Sequence, residues 1–304
     1  MKRDSLASKI AKRQIDGILL LDKAPGLSSN AALQAVKRLL RARKAGHTGT
    51  LDPMATGLLP ICLGEATKFA GTLLEADKCY LATLKLGVVT STGDSEGQIV
   101  ECRSAANITR DEVTHALAGF VGPLTQVPPM HSALKLHGKP LYSYARAGIS
   151  IPREPRNITV HSLAFDDLRD EELVIRVSCS KGTYVRVLAE DIGRALGCGA
   201  SLRALRRTAI ADIGVAEAWT LQALGGLPDA HLLSLIKPTD SMLKSLFELR
   251  LSRVEGESIR CGRSIPFSCE RNGELVRLYD SVGIFLGIGE LSAGMLVPKR
   301  LVAH

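Results

Sequence analysis

The spacing of apolar residues predicts a buried strand followed by an amphipathic helix near the start of the chain. Residues 17–21 form a short apolar run that ends before a Pro-Gly turn, which is typical of a buried strand. Four apolar residues then share one helical face, namely Leu33, Val36, Leu39 and Leu40. Ser28, Ser29 or Asn30 is positioned to cap the first turn of this helix.

Apolar periodicity also predicts a strand-to-helix junction in the middle of the chain. Residues 80–86 and 173–179 both have the composition of strands, and in 173–179 every second residue is apolar. After a turn, helical spacing begins at Thr183. Tyr184 and Arg186 are therefore expected at this junction, where side chains can reach a cleft.

The pattern changes in the last part of the chain. Glycines and prolines interrupt the periodicity between residues 225 and 245, which indicates a domain boundary there. Beyond it, short apolar runs at spacings that suit a small β-barrel occupy residues 275–278, 283–288 and 295–297. We predict two domains, residues 1–245 and residues 246–304.

The composition is that of a globular protein, with 45% hydrophobic and 23% charged residues among 304, so disorder is excluded. The 39 Lys and Arg residues outnumber the 31 Asp and Glu residues, and the net charge of +8 favours a polyanionic partner such as nucleic acid. A solvated basic surface explains this excess equally well, so charge alone does not identify the partner. The candidates for phosphate contacts are Lys37, Arg38, Arg41, Lys44, Arg203, Arg206 and Arg207.

The cysteines and the N-terminal segment bear on the compartment. No C-x-x-C pair or Cys/His ligand spacing occurs, so we expect reduced thiols and no metal site. The apolar run at residues 18–21 is too short for a signal peptide or a membrane span, and we expect a cytoplasmic protein without membrane association. The basic, Ser-containing first 13 residues leave an organellar transit peptide as the alternative. The seven cysteines are Cys62, Cys79, Cys102, Cys179, Cys198, Cys261 and Cys269.

Residues 46–69 are dense in Gly, Thr and Pro, contain Asp52 and are interpreted as a loop. A phosphate-binding loop is excluded, because no Gly-Lys-Ser/Thr sequence and no G-x-G-x-x-G motif is present. The H-E-x-x-H and G-x-S-x-G motifs of hydrolases are also absent.

The sequence G-H-T-G-T-L-D-P-M-A-T-G-L-L at residues 46–59 resembles the hallmark G-H-T-G-x-L-D-P-x-A-T-G-x-L of the TruB family of tRNA pseudouridine-55 synthases. The last 60 residues are similar to the family's PUA-type RNA-binding module, most clearly at residues 297–301. Two residues depart from the family pattern, Ala24 in place of Pro and His131 in place of an aromatic residue. Other family-like segments occur in the family's order at residues 20–23, 78–80, 132–135, 180–186 and 205–207.

The resemblance implies an α/β (α+β) fold with a central, mainly antiparallel mixed sheet and a small C-terminal β-barrel. It also implies isomerisation of a T-loop uridine in tRNA to pseudouridine, without a cofactor. Because a base inside folded RNA cannot react in the stack, the enzyme must flip it into a pocket. The expected partner is the tRNA T-arm, with no guide RNA and no protein partner, and the protein is expected to be a monomer.

The resemblance assigns catalytic roles to three residues. Asp52 matches the catalytic carboxylate, and Tyr184 and Arg186 match the second active-site tyrosine and the arginine that pairs with that carboxylate. We expect this arginine to hold Asp52 ionised and oriented. Without the motif, the Asp-Pro dipeptide would indicate a surface turn and Arg186 a solvated helix residue.

Tyr184 is also assigned to substrate binding, and four further residues match positions that contact the substrate. Tyr80 matches the residue that stacks on the flipped uracil, and Leu205 matches an apolar residue of the uracil pocket. His47 matches the residue that enters the space left by the flipped base, and Lys23 supports the site by its charge. Taken alone, Tyr80 and Leu205 would be read as core residues, His47 as structural or exposed, and Lys23 as a surface lysine.

Three other functions are weighed against this one. A guide-RNA-dependent pseudouridine synthase is disfavoured because the chain has no long Lys-rich tail. A non-catalytic RNA-binding protein or tRNA chaperone would not need the set Asp52, Tyr80, Tyr184 and Arg186. A nucleotide hydrolase would need phosphate ligands that the sequence lacks.

Overall fold

The computed structural model describes residues 11–136, 138–267 and 272–303. The strands formed by these residues are β1 (Gly17–Lys23), β2 (Ala45–His47), β3 (Thr56–Leu63), β4 (Lys78–Leu86), β5 (Val88–Thr90), β6 (Ile99–Cys102), β7 (Gly122–Gln126), β8 (Lys135–Leu136), β9 (Lys139–Pro140), β10 (Arg156–Arg169), β11 (Glu172–Cys179), β12 (Ala200–Ile210), β13 (Ile213–Gly214), β14 (Trp219–Thr220), β15 (Phe247–Arg250), β16 (Ile265–Pro266), β17 (Leu275–Tyr279), β18 (Phe285–Ser292) and β19 (Met295–Leu301).

The α-helices of the same ranges are α1 (Ser29–Leu39), α2 (Ala70–Glu75), α3 (Arg110–Ala118), α4 (Leu141–Ala145), α5 (Val185–Ala195), α6 (Leu221–Gly225), α7 (Asp229–Ser234) and α8 (Arg253–Arg260). Short 3₁₀ helices occupy Gly64–Lys68, Val215–Glu217 and Thr239–Met242.

A ten-stranded mixed sheet forms the centre of the described structure. Its strand order is β14-β1-β3-β12-β4-β11-β10-β7, with β2 paired to β3 and β13 paired to β12. Within the described residues, β1 pairs parallel with β14 and β12 pairs parallel with β3, whereas the other neighbours are antiparallel. The predicted central, mainly antiparallel mixed sheet is confirmed.

The predicted strand and helix near the start of the chain are confirmed. In β1, Leu19 belongs to a core cluster that also contains Val36 of α1, whereas Leu20 belongs to a separate cluster. The strand thus buries both faces, as its continuous apolar run indicates. Ser28 is the N-cap of α1, and its hydroxyl accepts a hydrogen bond from the Ala31 N–H at 3.1 Å.

Two expectations about local structure were wrong. The segment 46–69 was interpreted as one loop, but residues 56–63 form the buried strand β3 and residues 64–68 a 3₁₀ helix, and the longest irregular stretch is residues 48–55. Packing of the apolar run from Leu58 to Leu63 between neighbouring strands outweighs the Gly and Pro signals. Helix α5 begins at Val185 and not at Thr183, because Tyr184 is an extended N-cap residue with φ −98° and ψ 104°.

The C-terminal residues form a second, five-stranded sheet that curls into a half-barrel, with the order β15-β17-β18-β19-β16. This sheet has its own apolar core. It also packs on the first sheet's elements, since the rings of Phe69 and Phe285 meet edge to face with centroids 5.5 Å apart. The Tyr279 hydroxyl donates to Asp240 at 2.6 Å, and the segment at residues 225–245 contains α7 and the 3₁₀ helix Thr239–Met242.

No helix in the described part of the chain is long and apolar enough to cross a membrane. The six cysteines within that part are free thiols. Cys269 lies outside the described residues, as do residues 1–10 of the basic N-terminal segment.

Candidate active site

The irregular segment 48–55 between β2 and β3 carries Asp52 and is held in place by backbone contacts. The buried hydroxyl of Ser29 accepts from the Leu51 N–H at 2.7 Å and donates to the Leu51 carbonyl at 2.9 Å. On the other side of Asp52, the Gly26 N–H donates to the Pro53 carbonyl at 2.9 Å. These bonds tie the residues flanking Asp52 to the start of α1 and to the turn after β1.

Arg186, in the first turn of α5, meets this segment. Its Nε lies 3.3 Å from Oδ2 of Asp52. The arginine side chain is 6% exposed, whereas the Asp52 side chain is 37% exposed and accessible from the adjoining cavities. The predicted pair of Asp52 and Arg186 is therefore present, with the arginine beneath the carboxylate.

The sequence analysis missed a second carboxylate in this site. Asp94 follows β5, its side chain is 3% exposed, and its Oδ2 lies 3.2 Å from Nη1 of Arg186. Asp94 is fixed in turn by the Thr92 hydroxyl at 2.6 Å and by the Glu96 N–H at 3.1 Å. Its surroundings in the sequence, Ser-Thr-Gly-Asp-Ser, indicate only a turn. The described residues include no group of three or more His, Cys, Asp or Glu side chains that could hold a metal ion.

Two residues that depart from the family pattern contribute to the site through their backbone. Arg186 Nη2 donates to the carbonyl of His131 at 2.6 Å. The ammonium of Lys23 donates to the carbonyl of Ala24 at 2.9 Å and to that of Pro53 at 3.2 Å. Because carbonyl groups make these contacts, they do not depend on which side chain stands at residue 24 or 131.

Burial dominates the electrostatics of Asp52. It raises the pKa of this carboxyl above its usual value, and the negative charge of Asp94 acts in the same direction. The positive charges of Arg186 and Lys23 lower it but do not compensate fully. Arg186 favours the ionised form, as expected, and offsets part of the cost of burial; its role in holding Asp52 ionised and oriented stays a prediction.

Lys23 is a buried residue at the end of β1 and not a surface lysine. Its side chain is inaccessible to solvent, and burial lowers its pKa to about 8. The neighbouring charges of Asp52 and Glu96 oppose this shift. The position of Lys23 agrees with a supporting role by charge, which stays a prediction.

A cavity of about 370 Å³ opens beside Asp52. Tyr80 of β4, Tyr184 at the start of α5 and Leu205 of β12 line it, together with Asp52 and Arg186. It therefore gathers all three predicted catalytic residues and three of the five predicted substrate-binding residues, with Tyr184 in both sets, although strands and helices far apart in sequence supply them.

The position of Tyr184 is set by a buried glutamine. The side chain of Gln126 accepts from the Tyr184 N–H at 2.9 Å and donates to the Tyr184 carbonyl at 3.3 Å. This amide satisfies backbone groups at the start of α5, where a helix has free N–H groups. Sequence periodicity gave no sign of Gln126, because it is the last residue of β7 and is distant in sequence from Tyr184.

A larger groove of about 770 Å³ lies on the other side of Asp52 and Arg186. His47 lines this groove and not the cavity that holds Tyr80 and Tyr184. Burial and the nearby charge of Arg207 lower the pKa of His47, which favours the neutral imidazole. Its Nδ1 atom is buried and has no hydrogen-bond partner among the described residues.

The expectation that all the candidate basic residues contact phosphates was wrong in part. Arg207 is 1% exposed and lies within the sheet, where its Nε donates to the Leu58 carbonyl at 2.8 Å. Arg206 is bidentate to Asp22, at 3.0 and 2.7 Å. Arg41 is paired with Asp229 at 2.6 Å. The candidates that are exposed to solvent are Arg38, Lys44 and Arg203.

Comparison with known proteins identifies the family. The model of the N-terminal domain of TruB family pseudouridylate synthases matches residues 37–185. Two C-terminal models match further along, that of the tRNA pseudouridylate synthase B C-terminal domain at residues 186–244 and that of the pseudouridine synthase II TruB C-terminal region at residues 248–302. The chain belongs to the TruB family.

Relatives in the TruB family match over nearly the whole chain. A protein named tRNA pseudouridine synthase B from Nitrosospira multiformis is 50% identical over 303 residues, covering 96% of this chain and 97% of the relative. One of the same name from Azoarcus sp. is 52% identical over 295 residues, covering 97% of each. The matched region thus includes both the TruB motifs and the residues that form the candidate site.

The fold also matches solved structures. The archaeal box H/ACA sRNP Nop10-Cbf5 complex contains a chain with a TM-score of 0.72 and 22% sequence identity, covering 95% of this chain and 86% of that one. At this identity the likeness concerns the fold, and it supports the predicted pseudouridine synthase architecture.

Proposed function

We propose that this protein converts uridine 55 in the T loop of tRNA to pseudouridine, with Asp52 as the nucleophilic carboxylate. Membership of the TruB family makes it a pseudouridine synthase, an isomerase that acts on tRNA uridine. The observation that carries the residue assignment is the cavity beside Asp52, in which Tyr80, Tyr184 and Leu205 surround a carboxylate paired with Arg186 at 3.3 Å.

The chemistry requires this kind of cavity. The N1–C1′ bond of uridine breaks, the base turns, C5 joins C1′, and the C5 proton is exchanged for one at N1. No redox change occurs and no group is added, so the protein must supply a positioned carboxylate and a site that retains the detached base. Aromatic and aliphatic walls from Tyr80, Tyr184 and Leu205 suit the flat faces of a uracil ring.

Arg186 supports the nucleophile by orientation as much as by charge. Its guanidinium is planar and offers five donors in a fixed geometry, and Asp94 and the His131 carbonyl occupy the donors that point away from Asp52. The Nε group forms the ion pair with Asp52, at 3.3 Å from Oδ2. A carboxylate held in this way loses little rotational freedom when the substrate binds.

The groove that contains His47 suits the RNA strand that flanks the flipped nucleotide. It shares Asp52 and Arg186 with the cavity, so a nucleotide in the cavity remains connected to RNA in the groove. In this arrangement His47 contacts the RNA and takes no part in proton transfer, which agrees with its lowered pKa. The exposed residues Arg38, Lys44 and Arg203 remain as candidates for phosphate contacts.

The two predicted domains, residues 1–245 and residues 246–304, are proposed to divide catalysis from RNA binding. The gap between the family models at residues 244 and 248, and the start of the second sheet at Phe247, support this division. We further propose that the protein acts in the cytoplasm as a monomer on the T-arm, without cofactor, guide RNA or protein partner. The full-length similarity to proteins named tRNA pseudouridine synthase B favours this stand-alone form.

The test is a base-resolved pseudouridine assay on an unmodified tRNA transcript, with no cofactor or guide added. We expect the wild type to convert the T-loop uridine and Asp52→Asn to bind tRNA without converting it. Asp212→Asn, at an exposed turn, is the matched control and should retain activity. If wild type and Asp52→Asn both bind tRNA and neither converts it, a chaperone or guide-dependent function replaces the proposal; if Asp52→Asn is active, the nucleophile is another group.

A further inference from the structure

Arg207 is a buried cation that the family resemblance and the proposed mechanism leave without a role. It lies on β12 and lines the same cavity as Asp52 and Tyr80. Its side chain is 1% exposed, and the groups that affect its pKa are burial, which lowers it, and Tyr80, which raises it. No ion pair with a carboxylate forms within the described ranges to offset the cost of burying this charge.

Part of the arrangement is structural. The guanidinium donates from Nε to the Leu58 carbonyl of β3 at 2.8 Å and from Nη2 to the Gly49 carbonyl at 3.1 Å. Arg207 thereby links its own strand, the neighbouring strand and the segment that carries Asp52. A neutral donor such as a glutamine amide is chemically able to bond carbonyl groups as well. These two contacts therefore do not explain why the buried residue is a cation and not a neutral donor.

Tyr80 is a further neighbour of the guanidinium. Arg207 and Tyr80 are directly opposite each other in the antiparallel pairing of β12 with β4, and the guanidinium lies beside the phenol hydroxyl. A guanidinium has donors and no acceptor. In a hydrogen bond between the two groups, the phenol oxygen must therefore accept, and the single phenol hydrogen is left to point elsewhere.

Both residues border the cavity, so the direction left to the phenol hydrogen includes the position of the uracil. A nearby positive charge also makes the hydroxyl a stronger donor, since charge-assisted hydrogen bonds are shorter and stronger than neutral ones. Tyr80 would then provide a polarised donor in addition to an aromatic surface.

We propose that Arg207 is a positioning residue that directs the Tyr80 hydroxyl toward the bound uracil as a hydrogen-bond donor and strengthens it by its positive charge. The proposal rests on the proposed function, because it concerns the uracil held beside Asp52. When the N1–C1′ bond breaks, its electron pair stays with the ring. If Asp52 instead adds to the ring, the electron pair moves to the ring carbonyl oxygen. Either route places a negative charge on the base before C5 joins C1′, and a donor aimed at the base stabilises this charge.

The kinetic test compares single-turnover rates and tRNA affinity for Arg207→Met, Arg207→Lys, Tyr80→Phe and the double variant Arg207→Met/Tyr80→Phe. We expect Arg207→Met to lose on the order of 10²-fold in rate, with tRNA affinity close to that of the wild type. Arg207→Lys, which retains the charge, should recover part of the rate. In the Tyr80→Phe background, Arg207→Met should have little further effect, because the two residues act through one hydroxyl.

A spectroscopic test addresses the contact itself. With 3,5-difluorotyrosine installed at position 80, the ¹⁹F signal reports ionisation of this one phenol nearer to neutral pH. Because the charge of Arg207 lowers the pKa of the Tyr80 hydroxyl, Arg207→Met should raise the pKa observed for the fluorinated phenol. Arg176→Met removes an exposed arginine of β11 and is the matched control, which should change neither the rate nor this pKa.

Three results would overturn the proposal: an unchanged rate in Arg207→Met, equal losses in Arg207→Met and Arg207→Lys together with lowered thermal stability, or fully additive losses in the double variant. The second result would leave Arg207 as a structural link between strands. If the wild type has no activity on tRNA, the proposed function fails, and the ¹⁹F titration still decides whether Arg207 acts on Tyr80.

Discussion

Nη1 of Arg186 lies 3.2 Å from Oδ2 of Asp94, a carboxylate that is buried beneath the candidate active site. The same guanidinium lies 3.3 Å from Asp52, so one cation serves two carboxylates. Asp94 is held by the Thr92 hydroxyl and cannot turn away without leaving that bond. Asp94 therefore fixes the plane of the guanidinium, and the guanidinium fixes Asp52.

Substitution Asp94→Asn tests this chain of contacts. The amide keeps the shape of the side chain but removes the charge that orients Arg186, so we expect the rate of pseudouridine formation to fall on the order of 10²-fold while tRNA binding is retained. Single-turnover rates and a filter-binding assay measure the two effects. Asp191→Asn breaks an ion pair with Arg194 on the outer side of α5 and should leave the rate unchanged. Full activity of Asp94→Asn would mean that Arg186 needs no second carboxylate.

Activity should depend on pH through Asp52. The ionised carboxylate is the reactive form, and burial raises its pKa, so the rate should increase with pH through a pKa above that of an ordinary Asp. Lys23 lowers the pKa of Asp52, so Lys23→Met should move this acid limb to higher pH. The pH profiles of kcat/KM for the wild type and Lys23→Met measure the direction in which the acid limb moves. An acid limb that stays in place or moves to lower pH would show that Lys23 does not act on Asp52.

Gly57 in the signature motif is required by close packing. Its φ is +99°, and an added Cβ would lie 2.3 Å from the carbonyl oxygen of Arg207 on the parallel neighbour β12. We expect Gly57→Ala to lower the free energy of unfolding by more than about 2 kcal/mol. Thermal or denaturant unfolding measures this loss. Gly71→Ala, in α2 with open space around the added methyl, is the control and should be neutral or slightly stabilising. Equal stability of the two variants would contradict the packing argument.

Binding of tRNA should weaken with added salt, because phosphate contacts release counterions. Arg38 is an exposed residue of α1, and Arg38→Gln should reduce the slope of log K against log salt concentration by about 1. Arg169→Gln, at the hairpin of β10 and β11 far from the cavity, should leave the slope unchanged. Affinity measured at several salt concentrations for the three proteins separates these outcomes. Equal slopes for the wild type and Arg38→Gln would show that this face of α1 does not contact the RNA.

Much of the local structure was predictable because it depends on short-range spacing. The strand at residues 173–179, the helix that buries Val36 and the strands of the C-terminal half-barrel were confirmed. Strand β3 was missed because its glycine and its proline suggest a loop, and burial on both sides overrides that preference.

The site was predictable only where a motif marks it. Asp52, Tyr80, Tyr184 and Arg186 follow from the family resemblance, and the structure brings them to one cavity, although their roles stay predictions. Asp94 and Gln126 were not predicted as site residues, because their partners are more than fifty residues away in sequence. Arg207 was taken for a phosphate contact, since a basic residue in a basic stretch gives no sign of being buried.

The central strand order β3-β12-β4-β11 has a consequence for how activity is acquired during folding. These adjacent strands or their flanking segments supply Asp52, Tyr80, Leu205 and Arg186, and the pairing brings together residues more than 130 positions apart. Contacts of such long range form late and slowly, because a large loop must close before any of them is made. We therefore expect catalytic competence to appear only once these strands have paired, so that regain of activity after dilution from denaturant reports assembly of the sheet.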